Sequence, residues 1–504
     1  MPADNKKVAK NTLFLYFRMI FLMLINLYAS RIVLKVLGVE DYGIYNVVGG
    51  LVAVFTFVSN AMMAATQRYL NVYIERNNCN ETKKVFSACV MIHLVVAGIV
   101  VILAEGLGLW FMYNKMTIPL SRMSAAFWTF QCSVLATAFM VTTLPYKAMM
   151  VAYEKMGIFA FISIVEAVLK LGIIFIVALF TFDNLIFYSI LFMLVTIFVS
   201  FSFAICGRIK FAEARIVIHD VPRSLYKELI SFSGWNFLGN IANACLTQGT
   251  NILLNVFFSP AVNAAKGISV QVQHAVEQFC TNFQMAQNPQ IVKLYAANEL
   301  NEMHTLVFRA SRLSFYLVLI FAIPVMMKTD SLLQIWLGNP PEYATTFVQY
   351  TMLFILIQSL ANPLLTSSLA TGDVKKIMLI IATLFCCVIP ISYFFLKNGA
   401  SPIAVFRIQL VLYIVAHCLR IWIVSSQVKF SKINYLKEVL IPVAGVAVLL
   451  FILNYFIEKL FCNTIIFTIV YCGLSCLISV GIIFFVGLSK DERIGIVEFI
   501  KSKL

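Results

Sequence analysis

Charged side chains sit inside long apolar runs: Arg18, Arg31, Lys170, Lys266, Arg407 and Arg420, against Glu105, Glu166 and Glu277. Cations outnumber acids, which suits an anionic ligand. If those runs cross a bilayer, each Lys or Arg facing lipid costs about 2.5–3.5 kcal/mol at mid-depth. Six would cost about 15–20 kcal/mol, more than the 5–15 kcal/mol that holds a typical fold together. Some must therefore face protein or water.

Spacing sorts them. Glu166 precedes Lys170 by four residues, the separation of a helical ion pair, so this pair reads as structural. Lys266 has no local acid and is the best candidate for a substrate contact. Glu277 shares its helical face but lies three turns away, closer to His274. Arg18 and Arg31 fall near span ends, where snorkelling is the alternative. Arg420 ends a line of Gln409, Tyr413 and His417. Arg18, Arg31, Lys266 and Arg420 are thus the candidate substrate-binding cations.

Polar residues three, four, seven and eleven apart share a helical face. One such face carries Asn236, Asn240, Asn243, Thr247, Thr250 and Asn251. Another carries Lys266, Gln273, His274, Glu277, Thr281, Gln284 and Asn288, a stripe about 33 Å long at 1.5 Å per residue. Asn46 and Asn60 form a milder stripe, and Asn26 shares a sector with Arg18. Interhelical hydrogen bonding needs only a few such groups. Stripes spanning the membrane read instead as the lining of a hydrated cavity.

Other chemistries lack their signatures. No phosphate-cradling GxxxxGK[ST], HExxH or nucleophile elbow is present. The 12 cysteines lie mostly in apolar runs without metal-ligand spacing. No metal, no cofactor and no enzymatic activity are expected.

The elements that must position these groups are helices. The chain has 504 residues, 61% hydrophobic and 12% charged, with a mean hydropathy of +0.90. Apolar runs of about 20 residues recur, each long enough to cross a bilayer. Fourteen spans are expected, at about 11–37, 42–67, 84–112, 121–151, 157–181, 184–208, 228–258, 261–290, 305–328, 343–371, 376–396, 402–427, 435–459 and 463–488. The lysine-bearing start without a small-residue cleavage site reads as an uncleaved first span. The remaining cations, in loops and towards span ends, then divide 26 to 6 between the two sides, which makes both termini cytoplasmic. The net charge of +15 is a topology signal, and no nucleic-acid partner is implied. The end of the chain, KDERIGIVEFIKSKL, reads as an amphipathic helix on the inner surface.

An internal repeat is visible. Pro145 and Pro363 align near the ends of spans four and ten, and Tyr73 and Tyr295 near the ends of spans two and eight. The expected domains are an N-lobe at 1–212, a C-lobe at 213–432, and two further spans with the tail at 433–504. Internal repeats commonly frame a transport site at their interface.

The stretch RIVLKVLGVEDYGIYNVVGGL, with Arg31, Leu37, Gly38, Tyr42 and Gly43, resembles the first hairpin of bacterial O-antigen and capsule polysaccharide flippases. Spans one to twelve look like the wider multidrug/oligosaccharidyl-lipid/polysaccharide exporter superfamily, which includes the lipid II flippase. The resemblance implies two pseudo-symmetric six-helix lobes in a V around a central cationic cavity. It implies transport of a polyprenyl-diphosphate-linked oligosaccharide from the inner to the outer leaflet of the bacterial cytoplasmic membrane. The mechanism would be alternating access by a monomer, with H⁺ or Na⁺ as the coupling ion if one is used. Fourteen spans match the lipid II flippase, whose last two helices form a lipid-facing groove. The rivals are a cation-coupled multidrug exporter of the same fold, which needs acidic cavity residues, and a glycan polymerase or ligase, which needs a long outward loop. In the hairpin, Glu40 and Asp41 suit an outer loop that avoids positive charge, and Arg31 lies near the outer mouth.

Overall fold

The structure is a computed structural model, describing residues 5–53, 78–153, 155–180, 182–216, 221–227, 244–373, 375–459, 464–490 and 492–494, with a few isolated positions between 62 and 74 and at 229. The described residues are almost wholly helical. Among the described residues, ten helices are long and apolar enough to cross a membrane. They coincide with expected spans three to six and nine to fourteen, and the protein is a multi-pass membrane protein.

Of the four remaining spans, the first two run together as α1 (Asn5–Ala53), which bends at Gly38 (φ 79°, ψ 170°). A positive φ is a conformation that glycine tolerates and side chains resist, so the Leu-Gly of the hairpin is the bend itself. Five residues on, a Cβ at Gly43 would lie 1.9 Å from the carbonyl oxygen of Pro260. The second glycine is therefore fixed by close approach. Span seven is described from 244, as a π turn at Cys245–Gly249 followed by α6 (Thr250–Phe257). Span eight is α7 (Pro260–Ala296), helical throughout, yet too polar to count among the ten.

The others are α2 (Cys79–Lys115), α3 (Leu120–Ala152), α4 (Gly157–Leu179), α5 (Asn184–Lys210), α8 (Leu300–Met327), the short α9 (Thr329–Leu337), α10 (Ala344–Thr371), α11 (Lys375–Lys397), α12 (Ile403–Val428), α13 (Lys432–Glu458) and α14 (Ile465–Gly487). The chain forms two compact units, residues 1–267 with 385–402, and residues 268–384 with 403–504. Within the first, α3 packs along α2 and α5. Its core includes Phe86, Tyr146 and Phe203, with the Phe86 and Tyr146 rings edge-on at 5.0 Å. Within the second, α10 packs along α8 and α12, where Phe347 stacks on Phe406 at 4.0 Å. The same packing is thus used twice. α3 and α10 occupy equivalent places in the repeat, and each carries its internal proline, Pro145 or Pro363.

Burial follows position. α3 and α10 bury 61% of their apolar windows, whereas α5, α13 and α14 bury 22%. The less buried helices present Phe, Leu and Ile to their surroundings, as lipid-facing helices do.

Candidate functional site

The first unit holds a connected polar cluster in its interior. α6 and the start of α7 bring Asn251, Asn255 and Asn263 together at helical spacings, and all three are buried. Asn263 donates to Asn251 Oδ1 at 2.8 Å and to its carbonyl at 2.7 Å. Asn255 donates to Asn263 at 3.3 Å and accepts from the Thr117 N–H at 3.1 Å. Asn251 donates to the carbonyl of Asn46 at 3.1 Å, and Asn46 donates to that of Tyr42 at 2.8 Å. The chain of bonds ties the α1 hairpin to α6 and α7. Buried amides of this kind remain in a core because each finds partners.

Lys266 ends the cluster. It is 7% exposed, and its Nζ donates to the Thr247 carbonyl at 2.6 Å and to the Thr250 hydroxyl. Thr247 lies in the π turn, whose wider ring leaves helix carbonyls open to other donors. The lysine is therefore anchored on oxygen acceptors, as the absence of a nearby acid in the sequence would require. The residue expected to be a substrate contact is thus a buried side chain held on protein oxygens.

The other expected cations lie in different settings. Arg31 is exposed on α1. Arg407 donates to the Tyr350 hydroxyl at 3.3 Å. Arg420 is partly exposed on α12. Lys170 donates to Glu166 at 2.6 Å and also lies over the Phe192 ring. Glu105 accepts from Gln131 at 3.1 Å. The side chain of Arg18 lies outside the described residues, as do Asn60, Asn236, Asn240 and Asn243.

The stripe on α7 divides along its length. Gln273 and Glu277 are partly exposed, and His274 is exposed, its Nδ1 4.0 Å from Glu277. Gln284 corrects the expectation of a cavity lining. It is buried, donating to Ser314 at 3.0 Å and the Ser359 carbonyl at 3.1 Å, and accepting from Asn362 at 3.0 Å. Asn288 similarly accepts from Thr366 at 3.1 Å. These two amides hold α7 against α8 and α10, because a tightly packed helix end offers them protein partners instead of water. Asn26 is exposed and Asn46 partly buried in the cluster described above.

A second charged group escaped the sequence reading. Arg122, at the start of α3, is gripped from two sides. Its Nε and Nη2 donate to Asp41 at 2.8 and 2.6 Å, and its Nη1 and Nη2 to Asp183 at 2.6 and 3.1 Å. Asp183 also caps α5, accepting from the N–H groups of Leu185 and Ile186. Burial pushes the Asp183 carboxyl up, but Arg122 and the cap bonds more than offset it and leave it below its ordinary value. At Asp41 burial dominates, and the carboxyl stays above its ordinary value despite Arg122. The acid of the hairpin thus has a specific partner, beyond any need to balance loop charge. Residues 81 and 61 apart in sequence carry no spacing signal, so only the fold shows the clasp.

No sequence-family model and no curated protein sequence matches the chain. Its architecture does have counterparts. A structure of the lipid II flippase MurJ in an inward closed conformation superposes with a TM-score of 0.70 at 12% identity, covering 94% of this chain and 99% of that one. The chain has the fold of MurJ. An inward-facing MATE family multidrug transporter of the MOP superfamily gives 0.60 at 12% identity over 81% and 96%. The Vibrio cholerae MATE transporter VcmN in its bent form gives 0.53 at 16% identity over 86% and 99%. The fold expected from the hairpin resemblance, including its two-lobed plan, is therefore the fold found.

Proposed function

We propose that the chain is a flippase that moves a polyprenyl-diphosphate-linked oligosaccharide from the inner to the outer leaflet of the bacterial cytoplasmic membrane, by alternating access, for surface polysaccharide synthesis. The observation that carries this reading is the extent of the likeness to the lipid II flippase. A match over 94% of 504 residues leaves about 30 outside it, fewer than the 72 from 433 to 504. The likeness therefore extends into α13 and α14, whereas MATE structures covering 81–86% can leave this region unmatched.

Charge supports the same choice. Arg31, Lys266 and Arg420 are cations within the helices, while of the acids Glu105 and Glu166 are engaged by Gln131 and Lys170, leaving Glu277 beside His274. A carrier for cationic drugs needs available acids, and a carrier for diphosphate needs cations. The inside-negative potential would assist export by about 2.3 kcal/mol per uncompensated charge per 100 mV. Both inward- and outward-facing MATE structures resemble the chain, with TM-scores of 0.60 and 0.58, which supports alternating access as the mode.

Deleting the gene in its own host and assaying lipid-linked glycan in membrane vesicles tests the proposal. Accumulation of glycan reachable only from the cytoplasmic face is expected. Unchanged glycan distribution with lost resistance to cationic dyes would instead favour the multidrug reading.

A further inference from the structure

Three helix ends of the second unit meet at one ring. Trp422 of α12 is 52% exposed. The Lys376 ammonium of α11 stands 5.4 Å from its centroid, and the Lys432 ammonium of α13 stands 5.9 Å from it. Hydrogen bonds hold both lysines in place. Gln427, near the end of α12, donates to the Asp373 carbonyl at 2.6 Å and accepts from the Ser368 hydroxyl at 2.7 Å. These bonds fix the turn that leads into α11. Ser431 caps α13, accepting from the Asn434 N–H at 3.4 Å, and so fixes its first residue, Lys432.

Depth gives the cluster its setting. Trp422 lies six residues before the end of α12 at Val428, about 9 Å along the helix. Indole rings favour that depth, between headgroups and hydrocarbon. Lys376 and Lys432 are the second residue of α11 and the first of α13, so both lie at the same membrane surface. Deeper in the membrane, Val411, Val415 and Cys418 continue the Trp422 face of α12 at spacings of three and four, and all are exposed.

The indole face attracts each ammonium, yet an ammonium keeps N–H groups for oxygen acceptors. Among the described residues, no carboxylate forms an ion pair with either lysine. Two cations on one aromatic platform, above an apolar stripe, match the two ends of an anionic phospholipid. Its phosphate meets the lysines, as headgroups do in basic pockets between helix ends, and its acyl chains lie along α12. A soluble phosphate would use the lysines and leave the stripe without a role.

We propose that Trp422, Lys376 and Lys432 form a headgroup site for an anionic phospholipid of the leaflet at that surface. The site stands apart from the transport reading and does not depend on it, because the lipid is a bound partner and not the cargo.

Tryptophan quenching by brominated lipid tests it. The full chain keeps Trp422 as its one tryptophan, with Trp110, Trp128, Trp235 and Trp336 replaced by Phe. It is reconstituted in phosphatidylcholine with rising fractions of phosphatidylglycerol brominated in its acyl chains, and brominated phosphatidylcholine serves as reference. Phosphatidylglycerol should be preferred beside Trp422 by up to about 30-fold, and Lys376→Gln and Lys432→Gln should each remove about fivefold of that preference. Should the single-tryptophan chain fail to fold, the quenching lost from wild type on Trp422→Phe carries the same measurement. Equal quenching by the two lipids overturns the site, as does a preference that survives the double variant. Relief of quenching by inorganic phosphate, beyond that of sodium chloride at equal ionic strength, overturns the lipid as its occupant.

Discussion

Arg122 and Asp41 are joined edge to edge, Nε to Oδ1 at 2.8 Å and Nη2 to Oδ2 at 2.6 Å, while Asp183 holds the same guanidinium. One side chain thereby fastens the bend of α1 to the starts of α3 and α5. Asn184 adds a bond to the Val36 carbonyl at 3.0 Å.

Removing the guanidinium strands two carboxylates, one of them only 15% exposed. Breaking a buried pair costs about 3–5 kcal/mol and an exposed one under about 1. Arg122→Ala should thus lose about 2 kcal/mol in a thermal melt, and an unchanged melting temperature would remove the clasp from the account.

Acid should loosen the clasp through Asp183. Its folded pKa lies below the ordinary 3.8, so its contribution is complete above that value and is lost as pH falls through the lower one. Asp41 acts in the opposite sense, because its pKa is raised: its share weakens as pH rises. Asp183→Asn keeps a capping side chain but loses the charge. Its melting deficit should be nearly constant from pH 8 to 5 and shrink below about 4.

Glycine substitutions separate close approach from mere helix content. Gly43→Ala puts a methyl group 1.9 Å from the Pro260 oxygen, and should cost upwards of about 3 kcal/mol or abolish folding. Gly49→Ala, six residues on in the same helix, meets nothing within 4 Å. It should be neutral or gain about 0.5–1 kcal/mol. Expression level and melting temperature in detergent report both.

Cys245 and Cys386 place their sulfur atoms 3.7 Å apart, within reach of each other after a small rotation. Copper–phenanthroline should cross-link them in a chain whose other cysteines are serine, and a protease site cut between them should release no fragment until reductant is added. Separate fragments without reductant would contradict the packing of the π turn at Cys245–Gly249 against α11.

Much of this was legible in the sequence. Apolar runs of bilayer length marked the ten apolar spans, since nothing but helix satisfies the backbone in lipid. Gly38 of the hairpin motif falls at the bend because a positive φ suits glycine. Glu166 and Lys170 announced themselves by spacing. The polar faces were visible too, but not which partner each would find. Gln284 and Asn263 look alike in sequence to residues that face water, and burial is decided by what the neighbouring helix presents. Lys266 showed the same limit: the lack of an acid was plain, while the carbonyl freed by a π turn was not. The clasp at Arg122 joins three distant segments and left no trace at all.

The central claim is that the chain moves a lipid-linked diphosphate by means of cations within the membrane. Proteoliposomes holding the purified protein and a fluorescent polyprenyl-diphosphate glycan test this directly, with translocation read by quenching at the outer leaflet under an imposed potential. Wild type should translocate the lipid at a voltage-dependent rate, and Arg31→Ala and Lys266→Met should each slow it at least about tenfold, as expected for loss of a charged contribution of about 1.5–3 kcal/mol. Translocation by both variants at the wild-type rate, or none by wild type, would contradict the account.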